Sequence, residues 1–481
     1  MGEPDSNGSA QMSAPRSTFD KIWDRHVVAR LPDGEDLIFI DRLLLHDLTL
    51  KIVLPDLEER GHEVLMPSQV LATADHVVSS APGRETLRDS RTVEFVHRGR
   101  DLARRHGLRF FDVGDPRQGI VHVIAPELGL TLPGSTITCT DSHTCTQGAF
   151  GALAWGIGTT EAAHVAATQT MVQRRPLRMR ATLSGTARAG VGAKDVILAL
   201  IGRYGASAGA GHALEFAGPY VRSISMEERM TLCNMAIEFG ARFGLVAPDA
   251  TTLSYLAGRE FAPKGVAWDE ACADWLSMRG DEDAAFDKEI ELHVSDLHPQ
   301  VTFGTGLDHV VGVSEPVPDP LAMRDGARRD RLGEALAYMD VQAGRPLEGT
   351  PIDWAFIGSC ANSRLSDLRA AAEIVCGRRV AAGLRAWVVP GSSAVKQAAE
   401  NEGLDRIFRE AGWEWRESGC SLCCAINGEV IPAGQRCIST SNRNFVGRQG
   451  AGARTHVASP QTVAASALAG HIADPIKVLA S

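Results

Sequence analysis

Residues 356–368 read "FIGSCANSRLSDL" and change from a strand pattern to a helix pattern. An apolar run ends in a turn of small residues, and a helical pattern begins a few residues later. Cys360 lies in this turn, where the amides of a helix N-terminus favour the thiolate form of a cysteine. Its small neighbours Gly358 and Ser359 leave room for a bulky group. The segment therefore predicts a strand–turn–helix unit with a reactive or metal-binding cysteine at the turn.

Strand-like runs separated by helical patterns recur through most of the chain. The runs cover residues 37–42, 109–114, 178–185, 353–359 and 385–392. Between the first two, residues 90–107 ("SRTVEFVHRGRDLARRHG") place apolar side chains at helical spacing and end at a glycine. Strands separated by helices are typical of α/β layers, so we expect an α/β fold.

The composition limits the class of protein and its partners. The chain has 481 residues, more than one hydrophobic core accommodates, so we expect several domains. A net charge of -10 and a pI near 5.9 argue against nucleic acid or an anionic membrane as the main partner. Ten cysteines are too sparse for a disulfide scaffold, and no signal-peptide pattern precedes them. We therefore expect a reducing compartment, the cytoplasm, and no membrane span.

Composition also suggests where the domains divide. Residues 1–17 are polar and rich in glycine, serine and proline, so we expect a disordered tail. Residues 315–330 ("EPVPDPLAMRDGARRD") are charged and rich in proline, and they are the best linker candidate. This linker would separate a large N-terminal α/β region, residues 18–314, from a C-terminal α/β domain, residues 331–481.

The C-terminal region contains an unusual group of cysteines. Residues 419–428 read "GCSLCCAING" and include Cys420, Cys423 and Cys424. The C-x-x-C spacing of Cys420 and Cys423 lets two thiolates reach one metal centre. By itself it also fits a zinc half-site, a redox pair or chance. Neighbouring residues cannot easily ligate the same corner of a metal centre, so we take Cys424 as a non-ligand.

With Cys360, the pair would give three cysteine ligands rather than four. A structural zinc site requires four closed ligands, and no histidine lies at a matching spacing beside "GCSLCC". A cubane iron–sulfur cluster held by three cysteines leaves one iron open, where it can act as a Lewis acid. The count of three therefore makes such a cluster one of the open alternatives.

Two Asp–His combinations are candidates for proton transfer. Asp141, Ser142 and His143 follow one another in "CTDSHTCTQG", and Asp75 precedes His76 in "ATADHVV". A carboxylate next to an imidazole orients the ring and raises its basicity. A polar turn that caps the following helix explains the first motif equally well.

Three further polar residues stand in apolar surroundings. His122 lies in "QGIVHVIAP", which we read as a strand, and by itself it is typical of a satisfied core histidine. Asn234 and Glu238 are four residues apart in "TLCNMAIEFGA", so we expect them on one face of a helix. Such a pair points into a polar cavity or makes a structural hydrogen bond.

Two arginines lie in a loop without acidic neighbours. Arg443 and Arg448 belong to "STSNRNFVGRQG", residues 439–450. Guanidiniums without local partners suit bidentate binding of carboxylates or phosphate. Two solvated surface arginines are the alternative.

Taken in order, these motifs resemble the aconitase superfamily, and within it the isopropylmalate dehydratase large subunits. The resemblance runs from Ser17 almost to the C-terminus, through "GIVHV", "TDSHT", "MTLCNMAIE", "FIGSCANSR", "GCSLC" and "STSNRNFVGRQG". It implies three α/β domains around one [4Fe–4S] cluster per subunit. It also implies a fourth, swivelling domain that this chain lacks, which a small subunit would bring together with the serine that removes the carbon-bound proton.

The resemblance implies three groups of site residues. The implied cluster ligands are Cys360, Cys420 and Cys423. The implied acid–base residues are the pair that handles the departing hydroxyl, Asp75 with His76, and two further pairs, His122 with Asp141 and His143 with Glu238. The implied substrate-site residues are Ser142, Asn234, Arg443 and Arg448, with Ile52 at a substrate-contact position.

Ile52 is the main departure from the family pattern, which usually has a glutamine that contacts substrate there. Val77, Ala361, Cys145 and Gln147 also differ from the usual residues, whereas every implied ligand, acid–base residue and arginine is retained. Retained chemistry with altered contact positions suits turnover of a different hydroxy diacid better than a non-catalytic subunit.

The implied function is a hydro-lyase that interconverts 2- and 3-isopropylmalate in leucine biosynthesis. The alternative within the class is a related enzyme for another malate-like diacid, such as methylmalate, dimethylmalate, homoaconitate or a specialised-metabolite analogue. The alternative from another class is an RNA-binding cluster sensor, against which the net charge of -10 argues.

Overall fold

The structure is a computed structural model that describes residues 14–84 and 90–480, without the side chains of residues 90–92. The predicted tail therefore lies almost entirely outside the described residues. Its last residue, Ser17, is the N-cap of the first helix and exchanges capping hydrogen bonds with Asp20. Within the described ranges, no helix is long and apolar enough to span a membrane.

The first part of the chain is built on a parallel sheet of five strands. This part of the chain contains eight strands in two sheets: β1 (Val27–Arg30), β2 (Asp36–Phe39), β3 (Arg42–His46), β4 (Val70–Thr73), β5 (Arg109–Phe111), β6 (Thr136–Cys139), β7 (Leu153–Gly156) and β8 (Thr170–Gln173). Its helices are α1 (Thr18–His26), α2 (Asp47–Glu59), α3 (Ser90–Arg105), α4 (Val121–Glu127) and α5 (Thr159–Thr168). The central sheet has the order β5-β4-β3-β6-β7, and β1, β2 and β8 form a small antiparallel sheet.

The second part is built on a parallel sheet of four strands. This part of the chain contains six strands, four in the sheet and two in a hairpin: β9 (Leu177–Ser184), β10 (His212–Ala217), β11 (Phe243–Leu245), β12 (Lys288–His293), β13 (Gln300–Thr302) and β14 (Val310–Gly312). Its helices are α6 (Ala193–Tyr204), α7 (Pro219–Ser223), α8 (Met226–Asn234), α9 (Ala250–Leu256) and α10 (Val266–Ser277). The sheet has the order β11-β10-β9-β12, and β13 pairs with β14 in an antiparallel hairpin.

The third part repeats the arrangement of the first. Its strands are β15 (Trp354–Ile357), β16 (Arg385–Val388), β17 (Glu414–Trp415), β18 (Arg436–Ser439) and β19 (Arg454–Val457). Its helices are α11 (Gly326–Met339), α12 (Leu365–Val375), α13 (Ser393–Asn401), α14 (Leu404–Glu410), α15 (Pro460–Ala469) and α16 (Pro475–Leu479). The sheet is parallel throughout, in the order β17-β16-β15-β18-β19. Parallel sheets covered by helices confirm the predicted α/β class.

The predicted strand at residues 37–42 is divided in the structure. β2 pairs with β8 in the small antiparallel sheet, whereas β3 pairs with β4 and β6 in the parallel sheet. The chain therefore passes between sheets at residues 40–41. There the Asp41 carboxylate accepts the Thr136 amide at 2.8 Å and contacts His26 at 2.8 Å.

The prediction that His122 lies in a strand is wrong, because Val121–Glu127 form helix α4. The run "IVHVIAP" is too short for its periodicity to distinguish a buried strand from a helix. The helix is favoured by a carboxylate distant in sequence, since Asp75 Oδ2 accepts the Val121 amide at 3.0 Å in the first turn.

The prediction that Asn234 and Glu238 share a helix face is also wrong. α8 ends at Asn234, and residues 235–240 form a series of turns that ends at Gly240, with φ of 93°. Glu238 therefore reaches the site from a turn. Asn234 bonds to Cys360, whereas Glu238 contacts His143 and Arg443. The two side chains therefore contact different loops, one from the end of the helix and one from the turn that follows it.

The predicted linker contains regular structure at its end. Residues 315–325 include one 3₁₀ turn, Pro320–Ala322, and α11 begins at Gly326 with Asp325 as its N-cap. The division of the chain at this linker stays a prediction.

Candidate active site and cluster site

Several of the candidate residues follow the carboxyl ends of parallel strands. In the first sheet, β4 leads to Asp75 and His76, and β6 leads to Asp141. In the third sheet, β15 leads to Cys360, and β18 leads to Arg443. In both sheets the strand order reverses beside the first strand, between β3 and β6 and between β15 and β18. Adjacent loops diverge at such a point, which leaves a crevice for a ligand.

The three predicted ligand cysteines lie close together and are buried. Cys360, Cys420 and Cys423 are 6–7% exposed, and the last two belong to the turn that contains the 3₁₀ helix Ser421–Cys423. Asn442 joins the two segments, because its Nδ2 donates to Cys360 Sγ at 3.5 Å and its Oδ1 lies 3.8 Å from Cys423 Sγ. Two segments 60 residues apart therefore present their sulfurs around one amide.

The backbone beside the cysteines adopts a conformation that non-glycine residues rarely adopt. Ser359 has φ of 81° and Ser421 has φ of 49°. Such φ values cost about 1–3 kcal/mol each and persist only where the surrounding structure fixes them. Ser359 is fixed by its hydroxyl, which donates to Asn442 Oδ1. This unusual backbone therefore lies directly beside Cys360 and Cys420.

The donor set fits an iron–sulfur cluster. Burial raises the pKa of Cys360 to about 12, so its thiolate requires a cationic partner. Arg448 lies beside Cys423 and Cys424, whose charges raise the pKa of its guanidinium against the opposing effect of burial. Its Nε has no hydrogen-bond partner among the described residues. Three thiols, a nearby arginine and no histidine in the set are typical of iron–sulfur rather than zinc ligation.

Asp141 is the centre of the acid–base network. Its carboxylate lies 3.0 Å from His122 Nε2 and 3.4 Å from His76 Nε2, and it accepts the His143 amide at 2.7 Å. Burial would raise the pKa of Asp141, but the hydrogen bonds from His122, His143 and His76 outweigh it and hold the pKa well below its usual range. Asp141 thus caps the 3₁₀ helix Ser142–Phe150, as one interpretation of this motif predicted, and it also contacts three histidines.

His76 lies between two carboxylates. Its Nδ1 is 2.6 Å from Asp75 Oδ1, and its Nε2 faces Asp141. Burial lowers the pKa of His76, but the charge of Asp75 and hydrogen bonds with both carboxylates raise it well above its usual range. The two carboxylates therefore favour the protonated form of His76, which can donate a proton.

His143, Glu238 and Arg443 form a second connected group. His143 Nε2 lies 2.9 Å from Glu238 Oε1, and Arg443 Nε donates to the same oxygen at 2.7 Å. Arg443 Nη2 donates to Ser142 Oγ at 2.9 Å. Arg443 is thus not a solvated surface arginine, because its carboxylate partner comes from another part of the chain.

Asn234 contacts the cysteines directly. Its Nδ2 donates to Cys360 Sγ at 3.2 Å and to Thr146 Oγ1 at 2.7 Å, and its Oδ1 accepts from Asn442. The side chain therefore supports the sulfur position as well as lining the site.

Ile52 is the one candidate that the structure does not bring into this network. It lies in the second turn of α2, and its side chain is 47% exposed. α2 nevertheless begins at the site, because Asp47 accepts the amides of His76 and Val77 at 3.1 and 3.0 Å.

Sequence reasoning missed several residues that support the site. His46 stacks on His76 with ring centroids 4.1 Å apart, and burial lowers the pKa of His46 to about 4, so it is neutral. Asp47 holds the turn that carries His76. Their position at the carboxyl end of β3 is the signal that could have identified them.

His46, Asp47, Asp75 and His76 also lie close enough together to bind a metal ion. However, the oxygens of Asp47 accept backbone amides, and Asp75 bonds to His76 and to the Val121 amide. Asp47 and Asp75 therefore support the backbone and His76 through hydrogen bonds, whereas His46 contacts His76 by stacking.

Lys194 is a further missed residue. It lies in the first turn of α6, fully buried, and its Nζ donates to the carbonyl oxygens of Thr440 and Ser441 at 3.1 and 3.0 Å. It fixes the loop that presents Asn442 and Arg443. A lysine in a helical pattern gives no sequence signal of this role.

Comparisons with known proteins identify the family of the chain. Residues 20–470 match the aconitase family (aconitate hydratase). The chain is 54% identical over 460 residues to 3-isopropylmalate dehydratase large subunit 1 of Bradyrhizobium diazoefficiens, which covers 95% of this chain and 96% of that protein. It is 50% identical to 3-isopropylmalate dehydratase large subunits of Roseiflexus castenholzii and Anaeromyxobacter dehalogenans, covering 96% and 97% of this chain and 99% and 98% of those proteins. Among solved structures, Thermococcus kodakaraensis aconitase X (holo-form) is 14% identical with a TM-score of 0.43, over 85% of this chain and 84% of that one, too low a likeness to support an inference.

Proposed function

The chain belongs to the aconitase family, and from this membership we propose that it is the large subunit of a hydro-lyase that interconverts 2- and 3-isopropylmalate. The observation that carries the proposal is 50–54% identity, over at least 95% of the chain, to proteins named 3-isopropylmalate dehydratase large subunit. The acid–base network around Asp141 supports it, since dehydration of a hydroxy acid requires a proton donor for the departing hydroxyl.

Cys360, Cys420 and Cys423 would hold a [4Fe–4S] cluster. When bound, the cluster supplies a Lewis acid that polarises the carbon–oxygen bond of the substrate. Asn234 and Asn442 would steady the Cys360 sulfur through their amides, which donate to it at 3.2 and 3.5 Å.

The protein side chains would manage protons and orient the substrate. His76 donates the proton that converts the departing hydroxyl to water, and it regains one when water adds back. Asp75 and Asp141 favour the protonated form of His76, and Asp141 also orients His122. Arg443 lies between Glu238 and Ser142, where it would bind a substrate carboxylate and fix the reacting carbon.

The relatives' names specify a large subunit, which implies a small-subunit partner. We propose that this partner supplies the swivelling domain and the serine that removes the carbon-bound proton. Support comes from the relatives' names, which specify a large subunit, and from the family resemblance, which implies that the small subunit brings this base.

The purified chain, reconstituted with iron and sulfide under anaerobic conditions, should not dehydrate 3-isopropylmalate on its own, because we propose that this base belongs to the small subunit. Addition of the cognate small subunit should produce turnover, measured by the ultraviolet absorbance of the unsaturated diacid. A control with the small subunit's proposed serine changed to alanine should stay inactive. Efficient turnover by the isolated chain would show that the base belongs to this chain.

Ile52→Gln should shift substrate preference toward 2-isopropylmalate, because it places an amide at the position where the family resemblance implies a substrate contact. A hydrogen bond to a charged group contributes roughly 1.5–3 kcal/mol, or about ten- to a hundredfold in kcat/KM. The measurement compares kcat/KM of both heterodimers for 2-isopropylmalate, methylmalate and dimethylmalate. Val28→Gln, at another exposed apolar position in β1, is the control. The same substrate preference in wild type and Ile52→Gln would show that Ile52 does not contact the substrate.

We also propose that the enzyme acts in the cytoplasm. All ten cysteines are free thiols, which suits a reducing compartment. The proposed cluster requires the same conditions, since its thiolate ligands must stay reduced.

A further inference from the structure

Two segments of the candidate site meet in a buried polar contact that the sequence motifs did not reveal. The His76 segment, residues 75–80, follows β4 in the first part of the chain, and the cysteine turn, residues 420–424, lies between β17 and β18 in the third part. Their backbones join where the Cys420 amide donates to the Asp75 carbonyl oxygen at 2.9 Å. Because the two segments belong to different sheets, their relative position depends on the side chains that connect them.

Glu429 is at the centre of this contact. Its Oε1 accepts the Ser79 hydroxyl at 3.0 Å and the Ser80 amide at 2.7 Å. Its Oε2 accepts the Ser421 hydroxyl at 2.6 Å and lies 2.7 Å from Ser80 Oγ. One carboxylate therefore bonds to the end of the His76 segment and to the middle of the cysteine turn.

Arg416 fixes the Glu429 carboxylate from another direction. Its Nη2 donates to Glu429 Oε1 at 2.9 Å, and its Nε donates to Ser80 Oγ at 2.8 Å. The Arg416 and Glu429 side chains are 5% and 10% exposed, and the guanidinium lies 3.6 Å from the centroid of the Trp387 ring. A buried ion pair of this kind keeps its geometry, since displacement of either member leaves the other charge uncompensated.

The backbone of Ser421 explains why the cysteine turn requires such a contact. Ser421 lies between Cys420 and Cys423 and has φ of 49°, which non-glycine residues rarely adopt. A residue keeps this conformation only where the surrounding structure fixes it. The Ser421 hydroxyl bonds to Glu429 and lies 2.8 Å from Ser80 Oγ. These contacts hold the residue that separates the two cysteines.

We propose that Glu429 is a positioning residue that sets the place of the cysteine turn relative to the His76 segment. It acts through Ser421 on one side and through Ser79 and Ser80 on the other. The catalytic consequence rests on the proposed function, in which His76 gives a proton to a hydroxyl held beside the cysteine turn. Small displacements between reacting groups lower the rate strongly, so loss of Glu429 would act on kcat.

Hydrogen–deuterium exchange of the purified full chain, measured by mass spectrometry, tests the positioning role. Glu429→Gln keeps the size of the side chain and removes its charge. We expect amide exchange to become about tenfold faster in the His76 segment and in the cysteine turn together, with the rest of the chain near wild type. Glu429→Ala, which removes both oxygens, should enlarge the same two changes. Faster exchange across the whole chain, or in only one of the two segments, would overturn the proposal.

Asp20→Asn is the matched control. The Asp20 carboxylate accepts the Ser17 hydroxyl at 2.9 Å and pairs with Arg175 at 2.6 Å, so it has partners of the same kinds as Glu429. It lies in α1, and we expect faster exchange only around that helix. If Asp20→Asn and Glu429→Gln change exchange equally in the His76 segment and the cysteine turn, both variants merely destabilise the fold and the positioning role is contradicted.

Kinetics of the reconstituted heterodimer separate this role from the proposed function. Glu429→Gln should lower kcat about ten- to a hundredfold and change KM by less than about threefold, and Asp20→Asn should change neither. KM should persist because Arg443, the proposed carboxylate ligand, is held by Glu238 and Ser142. Wild-type kcat in Glu429→Gln would contradict the positioning role. Coupled changes in exchange, with a wild-type enzyme inactive on 2-isopropylmalate, would support the positioning role and contradict the proposed function.

Discussion

Cys360→Ser should leave the chain unable to hold an iron–sulfur cluster and should abolish dehydratase activity. Wild type should bind about four irons per chain and show broad visible absorbance after anaerobic reconstitution. The amides of Asn234 and Asn442 converge on the Cys360 sulfur, so this ligand has the most constrained position of the three. A hydroxyl is a poor ligand for iron–sulfur clusters, which prefer soft thiolates. Iron and sulfide analysis beside the visible spectrum measures the loss.

The control for this change is Cys424→Ser. Cys424 adjoins Cys423 and is partly exposed, and we take it as a non-ligand. Its replacement should preserve four irons and most of the activity, and Cys437→Ser, at a buried cysteine of β18, should do the same. If Cys424→Ser loses the cluster and Cys423→Ser keeps it, the ligand assignment is wrong.

Asp141→Asn should lower kcat by about 10²–10⁴-fold while cluster content stays at the wild-type level. The carboxylate faces His122, His143 and His76, and an amide would offer N–H groups to rings that need an acceptor. The change also removes one of the two carboxylates that raise the pKa of His76. Because His76 must be protonated to donate, the alkaline limb of the kcat profile should move to lower pH.

Asp41→Asn is a matched control for Asp141→Asn. Asp41 pairs with His26 at 2.8 Å, far from the site, so the substitution removes an Asp–His contact of the same kind. It should leave kcat and the pH profile near wild type. An Asp141→Asn enzyme with kcat within about tenfold of wild type at every pH would contradict the proposed proton transfer.

The sequence predicted the fold where the local signal was strong. The Cys360 turn follows β15 and precedes α12 as expected, because an apolar run, small residues and a helical pattern occur in immediate succession. The prediction of a strand at His122 was wrong because six apolar residues fit both a strand and a helix. The helix depends on Asp75, 46 residues earlier, which accepts the amide at its start.

The site was predictable as a set of residues but not as a network. The Asp–His motifs and the arginine loop were visible in the sequence, and the resemblance implied the pairs His122–Asp141 and His143–Glu238. Only the structure places Asp141 among three histidines and gives Arg443 the carboxylate of Glu238, 205 residues away. Lys194 and Asn442 escaped notice because a buried lysine and a loop asparagine have no sequence pattern that distinguishes them from surface residues.

The most direct test of the central claim is NMR-monitored turnover of 2-isopropylmalate by the reconstituted heterodimer in deuterated water. The proposed function predicts formation of 3-isopropylmalate that carries solvent deuterium at the protonated carbon, with the same enzyme inactive when Cys360 is replaced by serine. If no 3-isopropylmalate forms and the enzyme converts methylmalate, dimethylmalate or homoaconitate efficiently, the claim is contradicted. The same chemistry then acts on another diacid.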